Sequence, residues 1–80
     1  MTIKSATQLA PHIAFMARLT PAQAQQALEA IGTAIVHEIK QGHAVEFENF
    51  GLFDLGTRPS DNAPALRFRQ HKSVKEALSK

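Results

Sequence analysis

Apolar residues recur every three to four positions in the first half of this chain and every second position from Val45 onward. That change of period separates a helical half from a strand-forming half. Leu9, Ile13 and Met16 share one helical face, with Ala10, Ala14 and Ala17 allowing close approach. Ser5 and Gln8 have the spacing of a capping box, but Pro11 lacks the N–H that would bond back to Thr7 in a helix begun at Ser5. A start at Thr7, which brings Pro11 into the first turn, is preferred; a kinked helix from Ser5 is the alternative. Thr20, Pro21 and Gln23 open a second helix, with Thr20 as N-cap and Pro21 at the first helical position. Leu28, Ile31, Ile35 and Ile39 follow at helical spacing until Gly42 offers a left-handed C-cap. This helix of about 20 residues runs roughly 30 Å. Ala27 and Val36 widen its apolar face beyond one stripe, so a second surface is expected to cover it.

Val45 and Phe47 alternate with Glu46 and Glu48, and Phe53 and Leu55 flank Asp54. Two half-buried strands are predicted, with Asn49, Phe50 and Gly51 as the turn and Gly51 taking a positive φ. The apolar row is expected to face the helices, with Phe53 and Leu28 as core residues on a shared hairpin-to-helix interface. Gly56 to Pro64 is a turn-rich connection. A third strand follows, with Leu66 and Phe68 inward and Arg67 and Arg69 outward, and Ser73 to Lys80 form a short closing helix. The fold class is α+β. One domain, 1–80, is expected, with a helical hairpin at 1–42, a three-stranded antiparallel sheet at 43–70 and a C-terminal helix at 71–80.

Eighty residues lie near the limit for a core that folds alone, and without cysteine no disulfide adds to it. Oligomerisation is the remaining way to enlarge it. The absence of cysteine also fits a reducing cytoplasm. No apolar run approaches the roughly 20 residues that span a membrane, and no signal peptide is expected before Ser5. The charge is uneven: residues 1–55 carry three Lys/Arg against five Asp/Glu, and residues 56–80 carry six against two. A basic end on a near-neutral body suits a polyanion, although a solvated surface explains the charge equally well.

Several pieces of the chain resemble the bacterial HU and integration host factor family of DNA-bending proteins. These are Thr7-Gln8-Leu9 at the first helix, and Leu19 to Gln23 with Ala27-Leu28-Glu29 at the second. Gly42 to Val45 with Asn49 to Phe53 resembles the family's hairpin, and Phe68, Lys72, Lys75, Ala77 and Leu78 resemble its closing strand and helix. The resemblance implies an intertwined homodimer with a saddle of sheets, bound to double-stranded DNA in a cytoplasmic nucleoid. Family members carry a long basic β-arm whose apolar tip wedges between base pairs. Only ten residues, Gly56 to Ala65, separate Leu55 from Leu66 here. They leave about four per side, or roughly 13 Å of strand, so the full arm is absent.

The candidate DNA-binding residues are Arg58, Arg67, Arg69, Lys72 and Lys75. Arg67 and Arg69 form either a phosphate-binding comb or cross-strand pairs with Glu46, Glu48 and Asp54. Lys72 and Lys75 either meet phosphates near a helix start or are an ordinary solvated face. Phe47, Phe53 and Phe68 are expected in the core rather than as base-stacking platforms; the family motif adds Phe50 to a dimer core. His37 and His43 lack a third ligand, and no nucleophile context or phosphate-cradling glycine loop occurs, so no metal, cofactor, small-molecule substrate or enzyme activity is expected. The sequence reading is a dimeric, non-specific DNA-backbone binder without full wrapping arms. Its alternative is a dimerisation or protein-interaction module that has lost DNA binding.

Overall fold

The structure, a computed structural model, describes residues 2–80. The chain divides into two compact units, Met1–Ala34 and Ile35–Lys80. The elements run α1 (Ala6–Ala17), α2 (Pro21–Lys40), β1 (Val45–Phe47), β2 (Gly51–Thr57), β3 (Pro64–Gln70) and α3 (Lys72–Leu78). This is the α+β order that the change of period predicts.

In the first unit, α1 begins at Ser5 rather than at the preferred Thr7. The Ser5 hydroxyl accepts the Gln8 N–H at 3.3 Å, and the Gln8 side chain accepts the Ser5 N–H at 3.0 Å. Two orphan donors are thus satisfied, whereas Pro11 leaves unbonded only the carbonyl of Thr7, an exposed residue that water reaches. Thr20 and Gln23 form the predicted second box, at 3.0 and 3.1 Å. Ala10, Ala14 and Ala24 are almost fully buried, with Ile13 and Leu28 packed against them. This cluster corrects one expectation. Met16 lies more than a quarter-turn from the Ala10–Ala14 direction and is 68% exposed, so it is not on the packed face. Leu28, one turn after Ala24, packs on the alanines, while Phe53 packs among aromatics of the second unit.

The second unit opens with the last turns of α2, where Ile35 and Ile39 are buried. Gly42 at φ 87 closes the helix: its N–H bonds to the Ile39 carbonyl and the His43 N–H to that of Glu38. The sheet order is β1-β2-β3, antiparallel throughout. Register places Val45, Phe53 and Phe68 side by side, and Leu55 beside Leu66, on one face. Phe47 and Gly51 lie on that same face by alternation. Phe68 packs at a tilt against Phe53 and Phe50, with ring centroids 4.8 and 5.1 Å away, and Phe47 meets Phe53 edge-on at 5.9 Å. The aromatic row therefore packs, but a single chain does not bury it. Phe68 is 42% exposed in the single chain, and Leu55, Leu66 and Phe50 are more exposed still.

At the β1–β2 turn the left-handed residue is Asn49, φ 61, and not Gly51. Asn tolerates that region because its short polar side chain hydrogen-bonds locally. Gly51 is a buried strand residue, glycine for a different reason: a Cβ there would run into the Phe68 ring and lie 2.7 Å from the Arg69 carbonyl. Because the backbone of the neighbouring strand cannot yield cheaply, Gly51→Ala is expected to destabilise the protein by ~1–3 kcal/mol. Thermal unfolding of the variant checks this; an unchanged midpoint contradicts the close packing of Phe68 on Gly51.

Candidate nucleic-acid interface

The face of the sheet opposite the phenylalanines carries the charge. Strand alternation puts Asp54 on it, and the β2–β3 register sets Asp54 directly opposite Arg67 with Arg69 on the diagonal. Arg67 grips Asp54 side-on: Nε reaches Oδ1 at 2.8 Å and Nη2 reaches Oδ2 at 2.9 Å. Arg69 Nη2 adds a third bond to Oδ2 at 3.1 Å. The carboxylate is the recessed member, with its side chain 17% exposed, while the arginines stand 53% and 60% exposed. Hydrogen bonding from Arg67, aided by the charges of both arginines, holds the Asp54 carboxyl below its usual value of 3.8 despite partial desolvation. The same contact raises Arg67. Of the two readings of these arginines, the geometry favours pairing, by Asp54 alone among the three acids proposed. Glu46 bonds instead to His71 Nε2, at 3.1 Å.

The other candidates lie in two places. Arg58 sits in the β2–β3 connection, where it bonds to Asp61 at 2.9 Å; Asp61 also accepts the Ala63 N–H at 3.0 Å, and Asn62 takes φ 58. The ladder continues for two pairs beyond Leu55–Leu66, ending at Thr57–Pro64. The hairpin thus extends past the leucines by roughly 7 Å of strand, about half of what the residue count allows. Lys72 and Lys75 are exposed on α3; Lys72 has Glu76 at 3.8 Å, and Lys75 has no acidic partner among the described residues. Five cations thus stand against three partner carboxylates, Asp54, Asp61 and Glu76, leaving a balance of +2. Sequence reasoning missed His71: β1 and β3 are not neighbours in the sheet, and no spacing along the chain ties it to Glu46. Among the described residues no group of three His, Asp or Glu side chains is arranged to hold a metal, and no helix is long and apolar enough to cross a membrane.

A helical pair is thus followed in the chain by a sheet with a short β2–β3 hairpin, on whose outer face Asp54 holds two exposed arginines. The chain belongs to the family described as bacterial DNA-binding protein, which residues 4–64 match. Arg58 lies within that region; Arg67, Arg69, Lys72 and Lys75 follow it. Among curated proteins, DNA-binding protein HU-alpha of Serratia marcescens is 44% identical over 52 residues, which are 65% of this chain and 58% of the relative. The match thus spans less than two thirds of the relative's length. A point mutant of HU from Thermotoga maritima superposes with TM-score 0.76 at 20% identity, over 94% of this chain and 99% of that one. A cocrystal structure of Anabaena HU with DNA superposes with TM-score 0.78 at 22% identity, over 95% and 98%. At these identities the likeness establishes the HU fold.

Asp54 generates a pH prediction. A carboxyl whose pKa is lowered by folding contributes stability that is fully present above its unfolded value, near 3.9, and lost as pH falls through the lowered folded value. At neutral pH the wild type should therefore unfold at a higher temperature than Asp54→Asn, and the difference should shrink as the solution is taken below pH 3.8 and vanish beneath the lowered folded value. A difference that persists unchanged into strong acid contradicts the contribution of the Asp54 pair.

Proposed function

We propose that this chain is one HU-like domain that acts as a homodimer and binds the backbone of double-stranded DNA, non-specifically and without wrapping it, in the bacterial nucleoid. It acts by binding, not by catalysis. The observation that carries the reading is the outer sheet face, where Arg67 and Arg69 stand exposed and Lys72 and Lys75 follow on α3. Guanidinium forks and ammonium groups of this kind meet phosphate oxygens without reading sequence. The family, and the DNA held by the Anabaena relative, support DNA as the polyanion. A second copy is supported by apolar surface that one chain leaves open: Val36, Ile39, Leu55 and Leu66 line a cleft of about 260 Å³.

The short hairpin limits what binding can do. Two ladder pairs past the leucines cannot reach round a duplex, and the loop from Arg58 to Ala63 is folded on Asp61. With no wedge inserted, base steps stay stacked and the duplex stays nearly straight. One observation favours the alternative, a protein-interaction module: Asp54 already occupies both sheet arginines.

A salt titration decides between them. A balance of +2 per chain gives Z near 4 for a dimer, so log K against log salt should have a slope of about −3 to −4, with Kd in the non-specific range of about 10⁻⁴ to 10⁻⁶ M at physiological salt. Fluorescence anisotropy of a labelled mixed-sequence duplex measures both. Absence of binding even at low salt overturns the proposal in favour of the protein-interaction module. A tightly held, strongly bent duplex contradicts the argument from the short hairpin.

A further inference from the structure

We propose that Asp54 is the residue that sets DNA affinity on the sheet face, by acting as a built-in substitute for a phosphate. The inference rests on the DNA-binding reading above. A carboxylate and a phosphate offer an arginine fork the same thing, two oxygens in one plane at bidentate spacing. Arg67 uses its Nε and Nη2 edge on both oxygens of Asp54, and Arg69 adds a bond to Oδ2. Those donors are the ones a backbone phosphate would take.

Three features separate this contact from an incidental surface pair. The register fixes Asp54 opposite Arg67, so the competing anion is always within reach and is never diluted. Asp54 is recessed while its partners are exposed, so the arginine side chains can swing from the carboxylate to an arriving phosphate without the strands moving. The carboxyl stays ionised into acid, so the competitor is present throughout the physiological range. The Arg58–Asp61 pair, by contrast, is local in sequence and has both members more than half exposed. Each phosphate that docks on the sheet must first displace Asp54. The cluster of one carboxylate and two guanidiniums then acts as a single positive charge instead of two.

The test is a double-mutant cycle on DNA binding. Four proteins are compared by anisotropy on the same labelled duplex across salt: wild type, Asp54→Asn, Arg67→Ala/Arg69→Ala, and all three substitutions together. Asp54→Asn keeps the shape of the side chain and removes its charge; Asp54→Ser gives the same readout should the amide not fold. Releasing one positive charge per chain should raise affinity at low salt about tenfold and steepen the dimer's slope by about 2. In the Arg67→Ala/Arg69→Ala background, the Asp54→Asn change should have little effect, because the groups it frees are gone. An equal gain in both backgrounds overturns the proposal, since removal of a distant negative charge alone then explains it. A loss of affinity in Asp54→Asn also overturns it, and makes Asp54 a positioner of the arginines. If wild type binds and Asp54→Asn binds identically, this inference fails while the DNA-binding function stands. If no variant binds at any salt, the DNA-binding function fails and this inference with it.

Discussion

Apolar surface that one chain cannot bury governs the rest of this structure. The most deeply buried residues are Ala10, Ala14 and Ala24, with Ile35 and Ile39 behind them, and no large side chain is fully buried among the described residues. Alanines permit close helix approach but bring little hydrophobic free energy, whereas full burial of a Leu, Ile or Phe contributes about 1.5–3 kcal/mol. The side chains able to supply that energy, among them Phe50, Phe68, Leu55, Leu66, Ile31 and Val36, remain between roughly two fifths and three fifths exposed. They are not scattered singly. On the sheet they form one face, aligned by register, with Phe68 already packed against Phe53. A folded chain of this size that leaves such a face open has its stability tied to what covers it. On the reading proposed here the cover is a second copy.

Burying the aromatic face has a consequence for the other side of the same sheet. Strand alternation sends Asp54, Arg67 and Arg69 away from the phenylalanines, so the need to bury one row fixes where the charge appears. Gly51 belongs to this arrangement, because the Phe68 ring occupies the space that any side chain there would need. What the outer face can do is then set by charge balance. One recessed carboxylate holds two guanidiniums, Asp61 holds Arg58 within its loop, and Lys75 alone of the five candidates has no acidic partner among the described residues. On the reading proposed here, a surface so balanced makes weak, salt-sensitive contact with a phosphate backbone and does not grip a bent duplex.

Much of this architecture is legible in the residues. The Thr20–Gln23 box, Gly42 after the last turn of α2, and the two-residue alternation from Val45 are local signals with local causes, and each appears where the pattern puts it. Expectations failed where two local rules conflicted or where a distant partner decided. Pro11 argued against a helix from Ser5, yet the capping hydrogen bonds of Ser5 and Gln8 outweigh one missing donor near an exposed end. Gly51 looked like the turn residue because glycine tolerates positive φ. Asn49 holds that role, and the glycine answers to a ring seventeen positions later in the chain. Met16 was misplaced because a periodic stripe gives a face but not the partner that selects its centre. The arginines could be placed outward from alternation alone. That Asp54 would hold both, and Glu46 would turn to His71, depended on register and reach that no spacing along the chain encodes.

The central claim is that a second copy completes the fold, and the mass in solution tests it most directly. Sedimentation equilibrium at micromolar concentration should give about twice the chain mass of 8.8 kDa, with dissociation on dilution accompanied by unfolding. A particle of 8.8 kDa that stays compact and unfolds cooperatively would contradict the account.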